Sequence, residues 1–391
     1  MIVFIHDYAG HPFQVDLSLS LAKNGHKVFH VYFAGDAGPK GNMSNELHVN
    51  LNFLAIGSKN YSKTNFIKRR FDDLKYGKQV ADKIFKIKPD IVISGNTPTE
   101  AQNIIVNRCM KSNIKFVYWI QDFYSIAASM ILKRKIPLIG DIVGLYYKYL
   151  DKKNLNDANS IIIITDLFKK QLEKWKIDMS KVVTIPNWGS LDEISISEKN
   201  NDWSKLNLLN KNNYNVIYSG TMALKHDPNI ILNAAKSHQD IDFTIVGFGV
   251  GIDYIKDNSS DIENINILPI QPFSDLSNVL ASADILVAVI EEDAGQFSVP
   301  SKILNYMCAG KPIVLSAHQS NLATKIINDA NAGICVMSND YTGFNEAITK
   351  IKNNREMSTD FSNNSRKYAE NNFNIKIITQ KFEDLIYKVM N

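Results

Sequence analysis

Short apolar runs of strand length alternate with longer stretches of helical pattern along almost the whole chain. This alternation is typical of parallel sheets with helices on both faces, because parallel strands need long crossover connections. A polar stretch rich in Asn, Ser, Asp and Lys, from Trp188 to Asn213, separates the runs into two sets. The sequence therefore predicts an α/β protein with two Rossmann-like, doubly wound domains.

The boundaries of these domains follow from the same pattern. At 391 residues the chain is too long for one ordinary core. We expect an N-terminal domain at residues 1–190, a C-terminal domain at 191–374, and a final amphipathic helix within 375–391 that packs back on the N-terminal domain. The predicted strands are Ile2–Ile5, Lys27–Phe33, Asp90–Ser94, Lys115–Ile120, Ser160–Thr165 and Val182–Ile185, then Asn215–Ser219, Asp242–Val246, Ile265–Leu268, Ile285–Val289, Pro312–Leu315 and Ala332–Val336.

Composition excludes several classes of protein. The balance of 44 Lys and Arg against 40 Asp and Glu gives a net charge of +4, far below that of a dedicated nucleic-acid binder. The 3 cysteines lie far apart without a CxxC pair, so neither a metal site nor a disulfide framework is indicated. With no signal-peptide pattern and no apolar run of ~18 residues, we expect a cytoplasmic protein that is soluble or lies on a membrane surface.

Residues 298–314 predict a loop, a helix that begins near Pro300, a stop at Gly310 and a buried strand. The free N–H groups of the helix start, the positive end of its dipole and the ammonium of Lys302 suit a pyrophosphate. An ordinary capped helix is the alternative.

Two glycine turns follow predicted strands of the C-terminal half. Gly220 ends one strand and lets a ligand approach the backbone, with Lys225 a few residues later as a partner for phosphate. Gly247 opens a segment similar to a dinucleotide fingerprint but without its spacing, so a tight turn is the simpler interpretation. For Gly220 and Lys225, a strand followed by an ordinary surface loop is an equally good interpretation.

The N-terminal half offers polar groups after two strands. The segment His6–Pro12 places Gly10 where backbone N–H groups could meet a phosphate, and His6 or His11 could orient or transfer a proton. A polar loop that caps a helix is the competing view. Gln121 and Asp122 follow another strand, and the carboxyl end of a strand is the usual place of an active site in this fold.

Residues 129–153 mix basic clusters with apolar residues and tyrosines. Such a segment can lie in a lipid interface and attract anionic headgroups. The alternative is a domain helix that packs its apolar stripe on the sheet.

These segments together resemble glycosyltransferase family 4, the large retaining group with the GT-B fold, in which two Rossmann-like domains face a central cleft. The resemblance is carried by Leu21–Val28, Ile185–Asn187, Ser219–Gly220 with Lys225, Gly247–Gly249, Ala283–Ile285 and the segment from Pro300 to Pro312. The chain is most similar to bacterial enzymes of colanic-acid, O-antigen and capsule assembly.

The resemblance implies a UDP-sugar donor bound mainly by the C-terminal domain, without a metal or a further cofactor. Lys225 matches the family lysine that neutralises the diphosphate, whereas Thr221 stands where an arginine is usual, and Lys302 is a candidate substitute. The expected donor-binding set is Gly10, His11, Gly220, Thr221, Lys225, Gly247, Ser301, Lys302 and Asn305.

The chain departs from the family at the glutamate pair, where Phe297 and Asn305 stand. Glu292 or Asp293 could supply the lost contact to the donor sugar. Gln121 stands where many relatives carry a histidine.

The implied mechanism is a retaining transfer in which the departing phosphate takes the acceptor proton. The expected catalytic residues are Asp122, Lys225 and Lys302, with Asp122 positioning the acceptor, and His6 and Gln121 are further sugar-contact candidates. The implied acceptor is a sugar on undecaprenyl diphosphate at the inner face of the cell membrane, and an N-acetylated or 6-deoxy hexosamine is a suitable donor sugar. A UDP-GlcNAc 2-epimerase-like enzyme and a non-catalytic partner subunit are the alternatives.

Overall fold

The computed structural model of the chain describes residues 1–35, 43–57, 66–95, 97–126, 129, 137–210, 212–223, 226–290 and 301–391. It divides into two compact units. The first unit comprises Met1–Asn187 together with Ile375–Asn391, and the second comprises Trp188–Asn374.

The first unit is built on a 7-stranded sheet of parallel strands in the order β3-β2-β1-β4-β5-β6-β7. Its strands are β1 Ile2–Asp7, β2 Lys27–Phe33, β3 Leu51–Ile56, β4 Ile91–Gly95, β5 Lys115–Ile120, β6 Ser160–Ile163 and β7 Val182–Thr184. The order reverses between β1 and β4, and the carboxyl ends of strands at such a point form a crevice where ligands bind in doubly wound sheets.

Helices of the first unit connect these strands. They are α1 Pro12–Lys23, α2 Phe66–Ile87, α3 Thr99–Lys111, α4 Pro137–Asp157 and the short α5 Lys169–Lys174. Pro12 occupies the first turn of α1, where its missing N–H costs nothing. Among the described residues, no helix is both long and apolar enough to cross a membrane.

The second unit is built on a 6-stranded parallel sheet in the order β10-β9-β8-β11-β12-β13. Its strands are β8 Tyr214–Thr221, β9 Ile241–Phe248, β10 Ile265–Leu268, β11 Ile285–Val289, β12 Ile313–Ser316 and β13 Gly333–Val336. The connecting helices are α6 Asp202–Asn207, α7 Asn229–Ser237, α8 Val250–Asp257, α9 Leu276–Ala281, α10 Ser301–Cys308, α11 Leu322–Ala330, α12 Tyr341–Asn353 and α13 Arg355–Asn372. The predicted α/β class with two doubly wound parallel sheets is confirmed.

The last helix, α14 Ile375–Met390, belongs to the first unit although the second unit precedes it in the chain. Phe382 is fully buried, and its ring centroid lies 4.9 Å from that of Trp119 on β5. Glu383 accepts from Asn24 at 3.1 Å, and its other oxygen lies 3.0 Å from Nε2 of His26. The helix is therefore held by an aromatic contact and a buried polar cluster.

Strand β3, Leu51–Ile56, was not expected from the sequence. Within the described residues it is an edge strand, with β2 as its single partner. Its buried residues alternate with half-exposed ones, unlike the fully buried β4. A continuous apolar run marks a strand covered on both faces, and β3 lacks that signal.

We expect the substitution Phe382→Ala to lower the free energy of unfolding of the first unit by about 3–5 kcal/mol, because it leaves a cavity beside Trp119. Chemical denaturation followed by tryptophan fluorescence measures the change. The matched control is Ile377→Ala on the same helix, where the side chain is 55% exposed. Equal losses in the two variants would contradict a packed α14.

Candidate functional site

The loop after β1 is organised by a residue that sequence reasoning missed. Asp7, fully buried, accepts from the N–H of Ala9 at 3.2 Å and from the N–H of His11, and Nδ1 of His11 lies 3.0 Å from its carboxylate. Gly10 between them has φ +75°, which favours glycine. The N–H groups of Ala9 and His11 are thus already bound, so they are not available to a phosphate at this loop.

The Asp7 carboxylate is charged despite its burial. Burial would raise its pKa, but attraction to His11 and the hydrogen bonds from that residue leave the pKa below the ordinary value. The charge and the turn therefore stabilise one another, and Gly10 and His11 are held in one conformation.

His6 lies beneath this loop in a closed polar cluster. Its Nδ1 is 2.7 Å from Oγ of Ser94, its Nε2 is 2.7 Å from the hydroxyl of Tyr76, and Ser94 donates to Gln102 at 2.9 Å. Burial lowers the pKa of His6 to about 3. With both ring nitrogens engaged and the ring neutral near pH 7, the geometry favours an orienting role for His6 over acid–base chemistry.

The carboxyl end of β5 carries Gln121 and Asp122, which lie in different surroundings. Gln121 is buried, and Nδ2 of Asn187 donates to its Oε1 at 2.6 Å. Asp122 is exposed, as an acceptor-positioning group needs to be. The following turn is fixed by a second buried carboxylate, because the N–H of Ser125 donates to Asp151 at 3.2 Å. From the sequence, Asn187 was noted only as part of a segment that carries the resemblance, with no role assigned to it, and Asp151 was not noted as a candidate.

In the second unit, two of the predicted glycines lie side by side at the carboxyl ends of β8 and β9. Gly220 has φ +128° and pairs with Gly247 in the sheet register. A Cβ added to Gly247 would lie 2.0 Å from the Gly220 carbonyl oxygen, closer than any side chain can approach. Close packing of the two strands therefore accounts for Gly247, without a ligand.

Lys302 reaches the same turn from the first turn of α10. Its ammonium donates to the hydroxyl of Tyr218, lies 3.9 Å from the centroid of that ring and lies 3.4 Å from the carbonyl oxygen of Thr221. An ideal Cβ on Gly220 would be 3.6 Å from Nζ of Lys302. The structure thus brings together three of the predicted donor-site residues, Gly220, Thr221 and Lys302.

The rest of α10 is tied to the neighbouring backbone. Ser301 is its first residue, and Asn305, one turn later, accepts from the N–H of Ser190 at 3.3 Å. The buried hydroxyl of Tyr306 accepts from the N–H of Ser219 at 2.9 Å, which anchors the end of β8 to the helix. Tyr218 and Tyr306 were not expected from the sequence.

Several predicted residues lie outside the described part of the chain. They are Lys225, Glu292, Asp293, Phe297, Pro300 and part of the 129–153 segment. Within the described ranges, no group of three or more His, Cys, Asp or Glu side chains is arranged to hold a metal ion.

Comparison with known proteins identifies the fold. Sucrose-phosphate synthase from Thermosynechococcus elongatus covers 100% of the chain at 13% identity with a TM-score of 0.78, and the match extends over 99% of that protein. Anabaena Alr3699/HepE, solved in complex with UDP-glucose, covers 99% of the chain at 12% identity with a TM-score of 0.72, over 100% of that protein. The chain therefore has the GT-B fold of glycosyltransferases.

Residues 199–368 match the family model of glycosyl transferases group 1. This match lies within the second unit, and together with the GT-B fold it supports a glycosyltransferase, as the resemblance in the sequence led us to expect. WcaI of Escherichia coli (strain K12), whose name assigns it to colanic acid biosynthesis as a glycosyl transferase, is 24% identical over 213 residues. The match covers 53% of the chain and 52% of the length of WcaI, so the chain spans about half of this relative.

The buried histidines of the first unit predict an acid-sensitive fold. Burial lowers the pKa of His6 to about 3 and of His30 to about 4, from an ordinary value of 6.5. Below pH 6.5 the unfolded chain binds protons that the folded histidines do not. The free energy of unfolding should therefore fall between about pH 6.5 and pH 4, by up to ~1.4 kcal/mol per pH unit for each histidine.

Urea titrations at a series of pH values measure this slope, and His6→Gln should flatten it. His48→Gln, a half-buried histidine outside the cluster, is the control. The stability that Asp7 contributes through its lowered pKa is largely present in this window and is lost mainly as the pH falls below it. A free energy of unfolding that does not change between about pH 6.5 and pH 4 would contradict the assignment.

Proposed function

We propose that this chain is a retaining, metal-independent glycosyltransferase that moves a sugar from a UDP-sugar to a polyprenyl-diphosphate-linked saccharide during the synthesis of a surface polysaccharide. One observation carries the donor side: Lys302, Gly220 and Thr221 meet at the carboxyl end of β8, in the unit that matches glycosyl transferases group 1. UDP as the nucleotide is supported by the complex of Alr3699/HepE with UDP-glucose.

The chemistry requires stabilisation of a leaving diphosphate while positive charge develops on the sugar. Lys302 supplies an ammonium at the turn, and a charge-assisted hydrogen bond of this kind contributes roughly 1.5–3 kcal/mol. Lys225 is proposed to supply the second positive charge. The departing phosphate would take the acceptor proton, so no enzyme nucleophile is needed.

On the acceptor side we assign Asp122 to holding the acceptor hydroxyl. It is exposed at the carboxyl end of β5, next to the buried Gln121. The Gln121–Asn187 hydrogen bond orders the side chain before Asp122, and the Ser125–Asp151 hydrogen bond holds the backbone after it. A rigid surround reduces the loss of freedom when an acceptor binds.

We expect Lys302→Ala to lower kcat/KM for the preferred donor by about 10²–10³-fold, because charge stabilisation of the leaving group is lost. The assay is UDP release from a panel of UDP-sugars, with and without a polyprenyl-diphosphate-linked GlcNAc acceptor. Lys325→Ala is the matched control, since Lys325 lies on α11 and pairs with Asp329. Retention of most activity by the Lys302 variant would exclude its role.

The same assay separates the alternatives. Acceptor-dependent UDP release with one sugar would support a transferase and name its donor. Formation of a 2-epimer without acceptor would instead identify an epimerase. The absence of both UDP binding and UDP release would favour a non-catalytic partner subunit.

For the membrane side we propose that α4, Pro137–Asp157, lies on a bilayer that contains anionic lipid. Ile142, Leu145, Tyr146 and Tyr149 follow the i, i+3, i+4, i+7 spacing of one helix face, and all four are exposed. Leu150, Asp151, Asn154 and Leu155, on the opposite face, are buried in the unit. The helix thus exposes Ile142, Leu145 and Tyr149, whereas the exposed Tyr146 also donates from its hydroxyl to Glu100 at 3.1 Å.

Charge favours a lipid surface over another apolar partner. Lys148 and Lys152 are exposed along one edge of this face, and Lys153 beside it pairs with Asp157. Exposed lysines beside tyrosines and aliphatic residues match the headgroup region of a bilayer. A lipid-linked acceptor would be presented at the same surface.

We expect the double substitution Ile142→Asp/Leu145→Asp to weaken binding to vesicles of phosphatidylglycerol and phosphatidylcholine at least 10-fold, because two apolar anchors become charged. Vesicle flotation measures the bound fraction. Leu206→Asp is the control, since Leu206 is 85% exposed on α6 of the second unit. Equal flotation of the wild type and both variants would contradict a role of α4.

A further inference from the structure

The Lys302 side chain is held in place before any substrate binds. A lysine on an open surface samples many rotamers, but this one packs its ammonium over the Tyr218 ring, at 3.9 Å from the centroid. The same ammonium donates to the Tyr218 hydroxyl and lies 3.4 Å from the Thr221 carbonyl oxygen. One tyrosine therefore contributes both a cation–π contact and a hydrogen bond.

Tyr218 is itself fixed by the strand. Its side chain is fully buried on β8, and its hydroxyl donates to the Thr221 carbonyl oxygen at 2.8 Å. Burial raises the pKa of this phenol well above its ordinary value, so it remains neutral. The neutral hydroxyl can accept from Lys302 and donate to Thr221 at once, which forms a short relay of hydrogen bonds.

The relay ends at the turn that the proposed donor diphosphate would approach. Tyr218 and Gly220 are two residues apart on one strand and so lie on the same face of the sheet. Without a side chain, Gly220 leaves the region beside the Lys302 ammonium open. The arginine that the resemblance leads one to expect at this turn is Thr221, which contributes only its carbonyl oxygen to the relay.

We propose that Tyr218 is a positioning residue that fixes the Lys302 ammonium at the Gly220 turn, where it meets the diphosphate of a nucleoside diphosphate in place of the absent arginine. This inference rests on the proposed function. Tyr218 does not touch the substrate; it acts through Lys302. Its removal should therefore affect ligands with a β-phosphate more than ligands without one.

The test compares the affinities of UDP and UMP by calorimetry in the wild type, Tyr218→Phe, Lys302→Met and the double variant. We expect Tyr218→Phe to weaken UDP binding about 5–10-fold and UMP binding less than 2-fold, because only the order of the ammonium is lost. Since both residues act through one ammonium, the double variant should bind UDP no more weakly than Lys302→Met. Additive losses, equal losses for UDP and UMP, or unchanged UDP affinity would each overturn the inference.

Tyr214→Phe is the matched control. Tyr214 opens the same strand, and its buried hydroxyl has no hydrogen-bond partner among the residues that the structure describes. This variant should bind UDP like the wild type, and equal weakening in both tyrosine variants would overturn the inference.

A second variant keeps the test independent of the folding of Tyr218→Phe. Lys302→Arg retains the charge, but its longer, planar fork of donors does not reproduce the single point at which the Lys302 ammonium meets the Tyr218 hydroxyl and the Thr221 carbonyl oxygen. We expect it to lose UDP affinity as Tyr218→Phe does, and wild-type affinity would overturn the inference. A wild type that binds no UDP would instead refute the proposed function, whereas normal UDP binding with an unaffected Tyr218→Phe would refute the positioning role alone.

Discussion

Parallel pairing of strands that are covered on both faces is the constraint on which both units depend. Each strand must be followed by a crossover before the next can pair, so all carboxyl ends of a sheet meet at one edge. In the first unit the register aligns Asp7 of β1 with Gly95 of β4, and Gly95 with Trp119 of β5. The loop after Asp7 and the turn at Gln121 therefore start from the same edge although they are far apart in sequence.

Most of this architecture could be predicted because its causes are local. Continuous apolar runs identify the central strands, Pro12 suits the first turn of α1, and Gly310 has the positive φ that ends α10. The final helix was predicted at Ile375–Met390 and forms over those residues. Strand β3 was missed because an edge strand with alternating burial has a weaker local signal.

The site was less predictable, because a side chain that orients another is recognised only by its partner. Lys302 was noticed from its helix start, but Tyr218 is 84 residues away in sequence. Gln121 was noticed from its strand end, but Asn187 is 66 residues away. No spacing rule joins such pairs, so glycines and charged groups could be named as candidates while the residues that hold them could not.

Thr221 stands on the β8 turn where the resemblance leads one to expect an arginine, and in our proposal Lys302 supplies the positive charge instead. An arginine would present several donors in a planar fork, whereas a lysine is a point charge on a flexible stem, whose position depends on the groups around it. The partners described for Lys302, a phenol and a carbonyl oxygen, are both neutral. These two groups orient the ammonium and, unlike a carboxylate, do not themselves offset its charge. A lysine held in this way can satisfy the requirement for an anion site, which is that the cation be both ordered and still charged when the anion arrives.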